Sequence, residues 1–189
     1  MLNSIYTNPT VQKQVRQVFT TATPFPSITL YDVFDFETLS QLSQTMLRLD
    51  FQHEKKPLLH SYATASLPKE LTKTISTTLL PFLSTVLNKK LSTISLTAYK
   101  LGWKDYQILH DSLQTSTSHE IIIDLTPTWS DAAGGAITYV DGSGEFVSVP
   151  IKSNNLTLVQ QKKEVNRFIE YVNNKAKNHS RLFLLGKLE

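Results

Sequence analysis

The sequence predicts an α+β fold: a two-sheet jelly roll with a layer of N-terminal helices packed on one of its sheets. Three observations carry this reading. Apolar residues recur at helical spacing from Asn8 to about residue 90, and from Ser92 the spacing changes to period two. In that second half, turn-forming residues separate the apolar runs: Gly102, Pro127, Gly134-Gly135, Asp141-Gly142-Ser143-Gly144 and Asn154-Asn155. No repeat, linker or low-complexity tract divides the 189 residues, which therefore read as one domain over 1–189. A helical support layer occupies about residues 8–90 and a jelly-roll core about residues 91–189.

Asn8 is an N-cap and Pro9 the first residue of a helix that carries Val11, Val15, Val18 and Phe19 on one face. Pro24-Phe25-Pro26 stops it, and Ser27–Val33 reads as a strand. A second helix begins at Asp35 and buries Leu39, Leu42, Met46 and Leu49. A third, from about Ser66, carries Leu71, Ile75, Leu79, Phe82 and Val86, and Pro81 is expected to kink or split it. His53 and His60 fall in an expected loop. Strands follow at Thr93–Lys100, Tyr106–Asp111, His119–Thr126, Gly135–Val140, Glu145–Val149, Leu156–Gln160, Arg167–Val172 and Arg181–Gly186. The stretch Arg167–Lys177 also suits a short helix, through Phe168, Tyr171, Val172 and Ala176.

Hydrophobic content of 40% and charged content of 19% exclude a disordered chain. The absence of cysteine excludes disulfides and thiolate metal sites. No apolar run approaches the ~18 residues of a membrane span, and Met1–Phe19 lacks the continuous apolar block of a signal peptide. The chain is therefore expected inside the cell, in the cytoplasm or the nucleus. Net charge is +3, unevenly spread: Lys152, Lys162, Lys163, Arg167, Lys175, Lys177, Arg181 and Lys187 face only Glu164, Glu170 and Glu189 in the last quarter. That excess suits an acidic protein segment or a ribonucleoprotein as partner, rather than a membrane. A solvated lysine face on an ordinary domain is the plainer alternative.

In a strand through Tyr106-Gln107-Ile108-Leu109-His110-Asp111-Ser112, His110 and Ser112 share one face and Asp111 takes the other. With Lys100-Leu101-Gly102 before it, and Ile123-Asp124-Leu125-Thr126-Pro127-Thr128-Trp129 and Gly134-Gly135 after it, this stretch resembles the core of the prolyl-hydroxylase-type 2-oxoglutarate/Fe(II) oxygenases. Asn155–Val159 and Arg181–Gly186 continue in the family's order, and Pro24-Phe25-Pro26 extends the resemblance from Thr23 to the end. Arg167-Phe168-Ile169-Glu170-Tyr171-Val172-Asn173-Asn174 is most similar to the non-catalytic C-terminal domain of the tandem-domain ribosomal prolyl hydroxylases.

The resemblance implies a double-stranded β-helix and a site at named positions. His110 stands where the first iron-binding histidine belongs, Ser112 replaces the carboxylate, and Arg167 stands where the distal histidine belongs. Arg181 matches the arginine that grips the distal carboxylate of 2-oxoglutarate, with Arg167 as a second anion-binding cation. Phe183 replaces the serine expected beside that arginine. On this reading His110 is a vestigial ligand. The implied function is a catalytically degenerate oxygenase-like protein acting as an interaction or regulatory module, needing no cofactor and taking at most a small anion in its pocket. The alternative is an active Fe(II)/2-oxoglutarate-dependent dioxygenase with a rearranged metal site, using His179, or His119 with Glu120 or Asp124. An RNA-associated protein is a third reading, carried by the basic C-terminal quarter. Arg181 has a structural alternative too, an ion pair with an interior carboxylate such as Asp124. Trp103 and Trp129 read as packing residues, and Gly134-Gly135 as a tight turn or close backbone approach.

Overall fold

The computed structural model describes residues 1–109 and 117–189. Helix α1 (Pro9–Thr21) starts where expected: the Asn8 side chain accepts from the Thr10 amide at 2.8 Å, with proline at the first position. It buries Val15 and Phe19 but leaves Val18 exposed. Helix α2 (Phe36–Arg48) is capped by Asp35, whose carboxylate accepts from the Thr38 amide at 2.9 Å, and it buries Leu42 and Met46. Helix α3 (Lys69–Leu87) buries Ile75, Leu79, Phe82, Leu83 and Val86. Of the expected kink or split at Pro81, the split does not occur: α3 runs unbroken through the proline. The proline lies on the exposed side of the helix, as does Thr77, whose carbonyl loses its partner, so solvent can satisfy the freed acceptor.

Among the described residues, eleven antiparallel strands form one continuous sheet, bent into a nearly closed barrel. One wall is β1 (Ser27–Leu30), β9 (Asn155–Gln161), β6 (Ser118–Asp124), β11 (Arg181–Leu188) and β4 (Ile94–Leu101), in that order. The facing wall is β5 (Tyr106–Gln107), β10 (Asn166–Ile169), β7 (Ile137–Val140) and β8 (Phe146–Val149). Strand β3 (His60–Ser66) pairs with both β4 and β5 and so joins the walls, while β2 (Gln52–Lys56) pairs with β3. The α+β jelly roll with N-terminal helices is therefore present, but its sheet recruits three strands from the first half of the chain. The β2–β3 hairpin, read as loop from sequence, was hidden because every residue of β2 is exposed and none supplies apolar alternation. The Arg167–Lys177 ambiguity resolves as a short strand followed by a 3₁₀ turn at Asn174–Ala176.

Period two divides the first wall into two faces. Ala98, Ile121, Ile123, Leu156, Leu158, Leu182 and Leu184 pack outward against Phe19, Leu42, Met46, Ile75 and Leu79 of the helices. Tyr99, Leu101, Ile122, Val159, Phe183 and Leu185 point inward and meet Ile137, Tyr139 and Ile169 of the other wall. Sheet-on-sheet and helix-on-sheet cores thus share the same strands. Among the described residues, no helix is long and apolar enough to cross a membrane.

His119, on the helix-facing side of β6, tilts against Phe19 with ring centroids 6.3 Å apart and lies 3.3 Å from Gln160 Nε2. Burial lowers its pKa from the ordinary 6.5, and Lys89 adds to the effect. The folded state therefore binds the His119 proton less well than the unfolded chain does. The penalty is absent well above 6.5, grows as pH falls through that value, and levels off below the folded pKa. Urea midpoints measured from about pH 8 to about pH 5 should fall, and His119→Gln should remove this group's share of the decline.

Candidate functional site: the barrel interior

Strand β6 runs His119-Glu120-Ile121-Ile122-Ile123-Asp124, and its inward positions hold two acids, Glu120 and Asp124, that are almost wholly buried. Carboxylates at such positions persist only when paired. The opposing strands supply a cation to each.

At one end, Arg181 at the start of β11 is fully buried. Its Nη2 and Nε donate to Asp124 Oδ2 at 2.9 and 3.1 Å, and its Nη1 donates to the Gly135 carbonyl. The guanidinium face lies 4.9 Å from the Phe183 ring. Asp124 Oδ1 accepts from the Thr126 amide at 2.9 Å. Burial lowers the Arg181 pKa and Asp124 opposes that shift; a guanidinium stays protonated in such a site.

At the other end, Arg167 on β10 donates from Nη1 to Glu120 Oε2 at 3.2 Å, and the Tyr139 hydroxyl donates to the same oxygen at 2.8 Å. Burial alone would lower the Arg167 pKa, but Glu120, Tyr139 and Tyr99 outweigh it and raise it. Burial raises the phenols of Tyr139 and Tyr99, and pushes Tyr62 up to about 12. All three tyrosines therefore stay neutral. Arg167 Nε is buried without a hydrogen-bond partner among the described residues.

Between the two ion pairs the interior is filled with rings. Phe183 stacks on Tyr99 at 5.0 Å and 9°, and Tyr99 meets Tyr62 at 5.3 Å and 56°. Phe183, where the resemblance expects a serine, is thus the floor on which Arg181 lies.

The sequence-predicted positions can now be placed. Arg167 and Arg181 both point into the barrel, each against its own carboxylate. His110 and Ser112 lie outside the described residues. The His119 alternative fails on parity: His119 faces the helices while Glu120 and Asp124 face the interior, so they cannot share a metal. His179 is exposed and lines a hollow of about 160 Å³ with Trp129 and Lys175, outside the barrel. Among the described residues, no three of His, Asp and Glu gather at metal-binding distances. Sequence reading missed the roles of Glu120 and Tyr139. The available signal was an acid in an otherwise apolar strand, at the same parity as Asp124.

A Ser-His-Asp cluster also appears, at Ser61, His53 and Asp105. Ser61 Oγ and His53 Nε2 approach the same carboxylate oxygen, at 2.7 and 3.1 Å. A relay would need the histidine between the other two, so this cluster fastens the β2–β3 hairpin to the β4–β5 turn instead. The four C-terminal lysines also separate. Lys162 and Lys163 line a hollow with Phe25, Asp141 and Glu164, whereas Lys175 lies beside Trp129 and Lys177 beside Trp103.

By sequence, no protein-family model and no curated protein matches the chain. Solved structures do. A prolyl-4-hydroxylase of Pseudomonas putida superposes with a TM-score of 0.74 at 11% identity, covering 93% of this chain and 98% of that one. A prolyl hydroxylase of Trichoplax adhaerens, solved with a hypoxia-inducible-factor peptide, gives 0.77 at 11% identity over 98% and 91%. HygX of Streptomyces hygroscopicus, solved with nickel, 2-oxoglutarate and hygromycin B, gives 0.66 at 13% identity over 93% and 86%. At these identities the likeness shows the fold: the chain has the jelly roll of the 2-oxoglutarate/Fe(II) oxygenases of prolyl-hydroxylase type.

Proposed function

We propose that this chain uses the oxygenase jelly roll as a catalytically degenerate interaction module rather than as a dioxygenase. The observation that carries the reading is the engagement of both interior arginines by buried carboxylates, Arg167 by Glu120 and Arg181 by Asp124. Fe(II) of this family needs imidazole and carboxylate ligands with open positions for the co-substrates. A guanidinium offers no lone pair, does not deprotonate, and places a permanent positive charge beside a dication. The distal carboxylate of 2-oxoglutarate would need the Arg181 donors that Asp124 and Gly135 already hold, over a phenylalanine where the companion hydroxyl belongs. These residues do not fit iron or 2-oxoglutarate. Among the described residues Arg167 Nε is a buried donor without a partner, and a small anion is the ligand it suits.

The similarity of Arg167–Asn174 to the C-terminal domain of the tandem-domain ribosomal prolyl hydroxylases supports the same reading, because that domain has lost the iron triad and in some members serves partner binding. Its partner is an acidic protein segment. Anaerobic calorimetry with Mn(II), with and without 2-oxoglutarate, should give no saturable heat, and aerobic incubation with Fe(II) and 2-oxoglutarate should release no succinate. Saturable micromolar metal binding, or succinate above the protein-free control, would overturn the reading in favour of an active dioxygenase.

A further inference from the structure

We propose that the Trp103–Lys104 turn and the 3₁₀ turn at Asn174–Ala176 form one docking site for an acidic segment of a protein partner. The site rests on the reading of the chain as an interaction module and names where, and by what chemistry, it binds.

Trp103 is 42% exposed, and two ammonium groups lie over its ring: Lys104 Nζ at 4.3 Å from the centroid and Lys177 Nζ at 5.4 Å. Such cation–π contacts fix the two cations against the surface. Their supports are rigid. The Lys104 amide donates to the Val172 carbonyl and the Val172 amide to the Asp105 carbonyl, both at 2.8 Å. The Asp105 carboxylate closes the turn by accepting from the Gly102 amide at 2.8 Å. Lys104 itself sits at φ 74, a conformation costly for a side-chain-bearing residue, which persists because these bonds hold it.

The neighbouring 3₁₀ turn extends the surface. Asn173 fixes it, accepting from the Lys175 amide at 2.9 Å and donating to the Ala132 carbonyl at 2.8 Å. One side of this turn sends Lys177 over Trp103, and the other places Lys175 at the 160 Å³ hollow beside Trp129 and His179. Tyr171, next to Val172, adds an exposed ring. Among the described residues none of the three lysines is in an ion pair. Among the described residues, the adjacent carboxylates are committed or turned away: Asp105 is buried against Ser61 and His53, while Asp131 and Glu170 line a different hollow with Pro150.

Positive charge, apolar rings and a small hollow together suit a peptide alternating carboxylates with apolar residues. Pre-ordered lysines lose less side-chain entropy on binding than free ones. Single-stranded nucleic acid fits less well, because its bases stack on open aromatic faces and the Trp103 ring already carries two ammonium groups.

The test uses the full chain and a fluorescein-labelled twelve-residue peptide of alternating Glu, Asp and Leu, followed by fluorescence polarisation. Saturable binding in the range of about 10–100 μM is expected at low salt, weakening as salt rises. Lys104→Glu with Lys177→Glu should weaken it at least about tenfold, and Trp103→Ala should weaken it too. Lys162→Glu with Lys163→Glu should leave it nearly unchanged. The two lysine double variants alter exposed side chains, so their circular dichroism melts should match the parent, while Trp103→Ala removes a half-buried ring and should melt somewhat lower yet still cooperatively. Binding weaker than about 1 mM, binding indifferent to the Lys104 and Lys177 changes, or tighter binding of a twelve-nucleotide oligo(dT) would each overturn the site. The two proposals fail separately: succinate release with lysine-dependent peptide binding would sink the degenerate reading and leave the site, and the reverse result would do the opposite.

Discussion

Replacing Asp124 with alanine is expected to lower the unfolding free energy by about 3–5 kcal/mol, the range for stranding one member of a buried ion pair. The change leaves Arg181 fully buried with its Nη1 bond to Gly135 and the Phe183 ring, but without a counter-charge. For a chain of this size the melting temperature should drop by roughly 6–20 °C. The double variant Asp124→Leu with Arg181→Met should recover much of that loss, because an apolar pair of similar volume avoids desolvating either charge. Urea denaturation of the parent, the single and the double variant gives all three values. A single-variant loss below about 1 kcal/mol would mean that Arg181 is not held by Asp124, and would return its guanidinium to service as a ligand anchor.

That experiment turns on a question the sequence posed but could not decide. Period two placed Asp124 and Arg181 on strands of the jelly roll, and either a 2-oxoglutarate anchor or an interior ion pair was compatible with the letters. What decides between them is register across strands: Phe183 pairs with Asp124 on one side and Tyr99 on the other, which sets Arg181 and the acid on one face. Register is a property of pairing and is not written locally in either segment. The same applies to Glu120 and Arg167, which are 47 residues apart and joined through walls that meet only in the closed barrel. The helices were legible because each carries its own apolar stripe, and α1 and α2 a side-chain cap as well. The β2–β3 hairpin was not, because Gln52–Lys56 lies at an exposed edge where lysine and glutamate blunt further pairing and no buried face imposes a pattern. Whether Pro81 splits its helix was illegible for a related reason: it depends on whether the orphaned carbonyl reaches water, which the three-dimensional packing determines. His110 and Ser112, the positions that gave the sequence its oxygenase resemblance, lie outside the described residues; Arg167 and Arg181 are the predicted site residues that the barrel brings inside.

The Gly134-Gly135 pair makes a prediction of similar size. Gly134→Ala should cost about 3–5 kcal/mol, combining backbone strain with overpacking. Gly134 holds φ 73 and ψ −153, a region that a residue with a Cβ avoids. A methyl group built there would lie 2.3 Å from the Tyr171 carbonyl oxygen, and backbone on both sides of that contact leaves little room to yield. Relief would have to separate the Ala133–Gly135 segment from the Tyr171–Asn173 segment. Three hydrogen bonds resist: the Trp129 indole to the Gly134 carbonyl at 2.9 Å, the Asn173 amide to the Ala133 carbonyl at 2.9 Å, and the Asn173 side chain to the Ala132 carbonyl at 2.8 Å. Gly144→Ala is the internal control. Gly144 also has positive φ, at 88, but nothing lies within 4 Å of an added Cβ, so only the conformational cost of about 1 kcal/mol should appear. If both variants lose the same small amount, the close approach at Tyr171 is not a determinant of the fold. If Gly134→Ala alone is severe, its effect should extend to peptide binding, because the segment it displaces includes Val172, the anchor of Lys104, and Asn173, the anchor of Lys175.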